Sequence, residues 1–153
     1  MVTLLQHVFT ILHIIAAAAW FGMGLRLAIQ ARSVNSLERE AALVLADDAR
    51  RAIRFMGFFI VLTLVFAFVT FVLGSRTARY GGEFHAAMLL IVVLVALQYG
   101  LIQPGWKKLR DAIAQGDDAK GYQKQVAIGI GIGHLIWFVL LVLMFWEKLR
   151  TAL

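Results

Sequence analysis

Long apolar runs alternate with shorter polar segments along the whole chain. Four of these runs extend over about 18 residues or more with almost no charge, which is the length that crosses a bilayer as a helix. We therefore predict an all-α integral membrane protein. The runs place its transmembrane helices at about 5–31, 53–74, 84–103 and 126–147.

The composition agrees with a membrane location. Of the 153 residues 61% are hydrophobic, and the mean hydropathy is +0.82, whereas soluble domains are about half apolar. The first run is too long for the apolar region of a signal peptide and no basic segment precedes it, so we expect it to be retained as a helix. The whole chain, 1–153, is predicted to be a single domain, an up-and-down bundle of four transmembrane helices.

Two polar segments are predicted to form further helices at the membrane surface. In the segment 33–51, apolar residues recur at helical spacing, which predicts a short amphipathic helix with Asn35 as its N-cap and Glu38 completing a capping box. Pro104 is expected to close the third transmembrane helix, and the polar helix after it is expected to break at Gly116. The aromatic residues expected at the membrane interface are Tyr80, Trp106, Tyr122 and Trp146.

Basic residues concentrate in the two longer loops. The net charge is +6, and positive charge beside transmembrane helices marks the cytoplasmic side. We therefore expect both longer loops in the cytoplasm and both termini outside, on the periplasmic side of a bacterial-type inner membrane. Topology accounts for this charge, so no nucleic-acid partner is expected. The basic residues in or beside these loops are Arg32, Arg39, Arg50, Arg51, Arg54, Lys107, Lys108, Arg110, Lys120 and Lys124.

Histidines are the candidates for chemistry. The chain has no cysteine, which excludes thiolate metal sites and c-type haem attachment. His13 and His134 fall at membrane depth, where ionisable groups are costly and usually face the interior of a bundle. His7 and His85 lie nearer the outer ends of the first and third helices. All four are predicted metal-ligating residues.

Small residues accompany both histidines at membrane depth. Gly131 lies one turn before His134, and this spacing leaves room for the edge of a flat macrocycle beside an axial ligand. On the first helix, a ligand nitrogen, small residues and an aromatic side chain share one face. That face carries His13, Ala17, Trp20 and Gly24.

A structural interpretation of the same residues stays open. The pair Gly129 and Gly133 has the spacing that usually lets two membrane helices approach closely. A membrane histidine can also hydrogen-bond a neighbouring helix, for instance through Thr63, Thr70 or Gln98.

The pairing of the histidines also stays open. Counted by the rise per residue, His13 lies about 9 Å further out than His134, and two axial ligands must meet at one iron. Helix tilt could close this gap, or His85 could pair with His13 instead. Arg26 is either an interfacial anchor or a partner for a haem propionate.

The stretch "LHIIAAAAWFGMG" resembles the first helix of the HemJ-type protoporphyrinogen oxidases, which read Leu-His, a short apolar run, Trp-Phe and a small residue. It is also similar to the opening of the copper-resistance D (CopD) membrane family, in which a histidine precedes a tryptophan and glycines. "EFHAAMLLIVVLV" resembles the start of the family's third helix. As a layout the likeness covers most of the chain, and at the level of motifs it covers these two stretches.

The resemblance implies a haem or porphyrin contact for His13 and places His85 at the family's third-helix histidine. The family's third-helix lysine is replaced by Ala87, and its closing Asn-Glu-x-Pro motif is absent. A porphyrin pocket is therefore implied, whereas the oxidase reaction would need another base. His134 has no counterpart in the family and could supply a second axial ligand.

The leading hypothesis is a membrane-embedded protein that binds b-type haem through His13 with His134 or His85, and that transfers electrons or handles haem or porphyrin. Quinone or a redox partner subunit would exchange electrons with it, and a homo-oligomer is left open. The alternatives are a HemJ-like protoporphyrinogen oxidase, a copper-handling CopD-like protein and a cofactor-free structural subunit of a membrane complex. Sites made of imidazole alone favour haem over cuprous ion. The further predicted haem contacts are Trp20, Gly131 and Arg26.

Overall fold

Helices account for nearly all of the described chain. The computed structural model describes the backbone of residues 2–74 and 82–152 and the side chains of residues 4–74 and 85–146. A 3₁₀ turn, Val34–Ser36, follows the first helix, and a π-helical segment, Gln98–Ile102, follows the third. The α-helices are α1 (Val2–Ser33), α2 (Arg39–Gly74), α3 (Gly82–Leu97), α4 (Gln103–Gln115) and α5 (Lys120–Ala152).

Four helical stretches are long and apolar enough to cross a membrane, which confirms the four predicted spans. The third stretch runs through α3, the π-helical segment and α4 without a break. The stretches pack as a four-helix bundle, with α1 lying along α2, and α5 lying against both α1 and α3. By length and composition they are Leu4–Ser36, Arg39–Gly74, His85–Gln115 and Lys120–Trp146.

The predicted amphipathic helix is not a separate element. It forms the first part of α2, which runs from Arg39 to Gly74, so the predicted start near residue 53 is wrong. No glycine or proline interrupts the chain between Arg39 and Gly57, and the helix therefore continues from polar into apolar sequence. The capping box is also wrong, because Glu38 precedes the helix and the Asn35 amide donates to the side chain of Gln123 instead.

Pro104 does not end the third helix. It lies in the first turn of α4, directly after the π-helical segment, whose wider turn accommodates a residue without an N–H inside the continuous helical stretch. The π-helical segment before it joins the two helices in one continuous stretch. Gly116 ends α4 as predicted, with a left-handed φ of 79°. α5 then begins at Lys120, one and a half turns before the predicted start.

One residue predicted at the membrane interface lies in the core instead, and one predicted helix contact is present. Trp106 is 1% exposed, and its indole N–H donates to the carbonyl of Ala46 at 3.0 Å, so its assignment to the membrane interface is wrong. Gly129 packs against Leu101, where a Cβ would lie 3.0 Å from the leucine side chain. This contact, and that of Gly133 with Leu97, show that the two glycines of α5 let it approach the third helical stretch closely. Tyr80 lies outside the described residues.

Candidate functional site

An apolar cavity of about 370 Å³ opens between four helices of the bundle. Its volume falls in the range of sites that bind small molecules and cofactors. α1 contributes His13, Ala17 and Trp20, and α2 contributes Ile60, Thr63 and Ala67. The walls from α3 and α5 consist mainly of large apolar side chains. These include Met88, Ile91, Leu94, Trp137, Leu140, Met144 and Phe145.

His13 is held in the cavity wall by a hydrogen bond to the next helix. Its Nδ1 lies 2.9 Å from the main-chain carbonyl oxygen of Thr63. A carbonyl only accepts, so Nδ1 must be the nitrogen that carries the proton and donates. In the neutral imidazole, Nε2 then has the lone pair. This is the arrangement found in metal-binding histidines, whose second nitrogen donates to a carbonyl or carboxylate.

The cavity carries little polar chemistry besides this imidazole. Among the described residues that line it, none is Lys, Arg, Asp or Glu. The Thr63 hydroxyl donates to the carbonyl of Phe59 within its own helix. Met88 and Met144 place two thioethers in the wall. The cavity therefore suits a hydrophobic body that one nitrogen, or a nitrogen and a sulfur, can hold.

A much smaller cavity, which we call the niche, lies beside the large one. It measures about 10 Å³ and shares Trp20, Leu94 and Trp137 with the large cavity as walls. Gln98 and His134 also line the niche, and neither lines the large cavity. The two histidines at membrane depth therefore belong to different, adjoining spaces.

His134 lies close to the backbone of α1. A Cβ built on Gly24 would come within 2.7 Å of its Nε2, so the glycine is what admits the imidazole here. The Phe21 ring packs edge-on against the imidazole with 4.9 Å between ring centroids. The carbonyl of Phe21 lies near the ring, but Nε2 has no partner in hydrogen-bond geometry.

The other predicted site residues lie away from both cavities. His7 and His85 are exposed. Gly131 is also exposed, and a Cβ on it would meet nothing within 4 Å. Arg26 forms an ion pair with Asp48. Within the part of the chain that the structure describes, no three His, Cys, Asp or Glu side chains form a group that could hold a metal ion.

Two carboxylates in the polar first part of α2 bond to side chains of the neighbouring helices. Asp48 accepts hydrogen bonds from Arg26 and, at 2.9 Å, from the Gln30 amide. Asp47 accepts from Arg110 of α4 at 2.7 Å. This hydrogen bond and the nearby guanidinium charge lower the pKa of Asp47, which precedes the apolar stretch of α2, below its ordinary value. Arg26 therefore forms a structural contact with α2, and it does not line the cavity.

Sequence reasoning found part of this site and missed part of it. It singled out His13, Trp20 and His134, and it named Thr63 and Gln98 among the partners that a histidine could have. It missed Trp137, which lines both cavities. Trp137 follows His134 by three residues, a spacing that places the two on one helix face, so the signal was present in the sequence.

No protein-family model, curated protein sequence or solved structure matches this chain. The function must therefore be argued from the cavity, the niche and the residues that line them.

Proposed function

We propose that the protein binds haem b in the large cavity, where His13 would hold the iron. One observation carries this proposal: the Nδ1 of His13 donates to the Thr63 carbonyl, which leaves Nε2 with its lone pair on a side chain that lines an apolar cavity of about 370 Å³. Haem iron is commonly held by imidazole in this form. Bound haem would supply one-electron redox chemistry, so electron transfer or haem and porphyrin handling follows as the proposed role.

The chain's own residues would orient the group and exclude water from it. Ala17, Ala67 and Ala87 leave space along the cavity walls, while Leu94 and Leu140 close its inner side. Trp20 and Trp137 form an aromatic boundary towards the niche.

Several residues are candidates for a second iron ligand. His134 lines the niche, with its Nε2 over Gly24, so pairing it with His13 at one iron would require its ring to turn. Met88 lines the cavity itself, and His85 lies one turn before it on α3. We therefore propose that haem binding requires His13, and we expect His134 to contribute less to haem binding.

The alternative functions fit these residues less well. A protoporphyrinogen oxidase needs a base, and His13 is the one ionisable side chain among the described residues that line the cavity. A copper site would use His7 and His85 with Met88 or Met1, and a chain without cysteine suits cuprous ion less well than haem. In a cofactor-free structural subunit, neither the apolar cavity nor the imidazole in its wall, whose tautomer is fixed by a hydrogen bond, would have a role.

An absorbance spectrum tests the proposal directly. The protein is purified after expression with ample haem supply, and spectra are taken oxidised and dithionite-reduced. We expect a Soret band that is lost in His13→Ala and kept in the matched control His7→Ala, whose histidine is exposed on the same helix. A spectrum without a Soret band, or a full Soret band in His13→Ala, would contradict the proposal.

We further propose a bacterial-type inner membrane location with both termini outside, supported by the basic residues of the two longer loops. Quinone, a redox partner subunit or a second copy of the chain would be the partner within the bilayer. Because the chain has no cysteine, single cysteines report topology without background. Asp117→Cys in intact cells should resist a membrane-impermeant maleimide, whereas Glu83→Cys should react. The reverse labelling pattern would invert the proposed topology.

A further inference from the structure

Buried polar atoms without partners concentrate at the niche. Among the described residues five such side-chain atoms occur, and three of them belong to residues that line this one small space. Buried polar groups in folded proteins are nearly always hydrogen-bonded to protein or to ordered water. Their concentration around a space of about 10 Å³ therefore points to something that binds there. The three atoms are Trp20 Nε1, Gln98 Oε1 and His134 Nε2.

Because these residues are buried, a polar atom without a hydrogen-bond partner costs free energy here. Gln98 is 1% exposed and Trp20 is 7% exposed, both in a helical bundle whose outer surface is apolar. Gln98 already uses its amide N–H on the carbonyl of Ile53 at 3.4 Å, which turns its oxygen away from that contact. Bulk water does not reach these buried atoms, and burying a polar atom without a hydrogen bond costs free energy. A group bound in the niche would supply the missing hydrogen bonds.

The donor and acceptor pattern identifies the class of that group. The indole N–H of Trp20 can only donate, and Oε1 of Gln98 can only accept. A carbonyl oxygen would satisfy Trp20 but not Gln98, and an ammonium group would satisfy Gln98 but not Trp20. An oxygen that both accepts and donates satisfies both, and His134 Nε2 can take either role according to its tautomer.

The size of the niche matches the same class. About 10 Å³ is the space that one water molecule requires, provided that two or more polar groups hold it. The niche also lies where the π-helical segment begins, at Gln98. Such bulges often occur at functional positions because they re-aim a side chain out of the regular helical array.

We propose that the niche is a binding site for a single hydroxyl-type oxygen, held by Trp20, Gln98 and His134. The oxygen accepts from the indole of Trp20 and donates to Gln98. It comes either from a resident water molecule or from the hydroxyl of a phenol-like or alcohol-like ligand whose apolar body lies in the large cavity. This site uses no contact of His13. A ligand body in the large cavity would occupy the space proposed for haem, so the site is tested on the haem-free protein.

Tryptophan indole NMR tests the site in the full chain. The chain is ¹⁵N-labelled at tryptophan, prepared without haem in phosphatidylcholine nanodiscs, and cross-relaxation between each indole proton and water is measured. We expect a water contact at Trp20 and none at Trp106, whose buried indole already donates to the Ala46 carbonyl. Replacing Trp106, Trp137 and Trp146 one at a time by phenylalanine assigns the four signals.

Titration with 4-octylphenol distinguishes the two sources of the oxygen, with octylbenzene as the control that lacks the hydroxyl. A ligand hydroxyl in the niche would shift the Trp20 signal with octylphenol and leave it unchanged with octylbenzene. A resident water would give the water contact and no shift with either compound. Both results support the site and differ in its natural occupant.

Two glycines of α1 offer a matched pair of variants. Gly24→Ala places a methyl group 2.7 Å from the position of His134 Nε2 and so displaces the imidazole, whereas a Cβ on Gly22 meets nothing within 4 Å. We expect Gly24→Ala and Gln98→Leu to abolish the oxygen contact, and Gly22→Ala and His13→Ala to keep it. An unchanged Trp106 signal shows that each variant is folded.

Two results would overturn the proposal. The first is a wild-type Trp20 indole with no water contact and no response to octylphenol, which would mean that the niche is dry. The second is an oxygen contact that persists unchanged in both Gly24→Ala and Gln98→Leu, which would place that oxygen elsewhere.

Discussion

The two ends of the bundle are packed in opposite ways. At the end where α1 joins α2 and α4 joins α5, which we call the polar end, side chains bond from helix to helix: Trp106 to Ala46, Arg110 to Asp47. At the other end, which we call the cavity end, the helices stay far enough apart to leave about 370 Å³ between them. There His13 reaches Thr63 across the gap.

This difference shows how a small membrane bundle can keep a binding space without losing its fold. Completely enclosed side chains such as Leu27, Ala49 and Leu109 lie at the polar end. Close packing there holds the helices in register, so the cavity end need not contribute much to the free energy of unfolding. Regions of low local stability are where binding sites are usually found.

The largest effect is expected from removing the indole at the centre of the polar end. Trp106→Ala deletes a side chain that is 1% exposed and leaves the Ala46 carbonyl without this donor. We expect a loss of about 3–5 kcal/mol in the free energy of unfolding. Thermal unfolding in detergent measures it, with Trp146→Ala as the control because Trp146 is 48% exposed. Equal losses in the two variants would mean that the polar end does not dominate stability.

In a second prediction, one alanine at the polar end and one at the cavity end are each replaced by the larger leucine. Ala49 is 0% exposed at the polar end, so Ala49→Leu has no space and should cost about 3 kcal/mol. Ala17 lines the cavity, so Ala17→Leu should leave the melting temperature unchanged or raise it, and should reduce haem incorporation. Melting temperature and the Soret absorbance are measured on both variants. A loss of stability in Ala17→Leu as large as that in Ala49→Leu would contradict the comparison.

The cavity end was the more predictable of the two. Apolar runs determine where a chain crosses a bilayer, and the same runs display His13 and Trp20 on one helix face, so the spans and the main site residues could be found from the sequence. The polar end could not be found in this way. Trp106 stands among lysines and a glycine, a context typical of interfacial aromatics, and its burial depends on α2 extending back to Arg39.

The niche shows a further limit of sequence reasoning. Its three unpartnered polar residues come from α1, the π-helical segment and α5, so no spacing along the chain reports that they meet. The π-helical segment also begins at Gln98, so regular helical spacing counted from α3 does not extend past this residue. Gly131 illustrates the same limit: it lies one turn from His134 in sequence, yet it is exposed, while Gly133 packs against the side chains of Leu97 and Leu94.

A third prediction asks how far the close packing extends along α5. Gly131→Ala meets no atom within 4 Å and should raise the free energy of unfolding by up to about 1 kcal/mol, the usual gain in a helix interior. Gly129→Ala brings a methyl group to 3.0 Å from Leu101, which should cancel that gain. Thermal unfolding of the two variants should therefore differ by about 1 kcal/mol. Equal gains would show that the contact between α5 and the π-helical segment is loose at this level.

The smallest effect is expected from the ion pair of the polar end, and its signature is a pH dependence. Arg110 lowers the pKa of Asp47 in the folded protein, so the pair stabilises the fold above the unfolded-state pKa of about 4. That contribution is lost as the pH falls through the lower, folded-state pKa, because the carboxylate is then protonated in both states. Both side chains are partly exposed, at 31% and 48%, so solvent screens the interaction.

Asp47→Asn should therefore lower the melting temperature slightly near neutral pH, and its difference from wild type should shrink as the pH falls below about 4 and vanish below the folded-state pKa of Asp47. Asp117→Asn, at an exposed residue of the loop before α5, should show no such pH-dependent difference. Added salt should shrink the Asp47→Asn effect at neutral pH. A difference that survives at low pH would assign the role of Asp47 to packing between α2 and α4, and close packing alone would then distinguish the polar end from the cavity end.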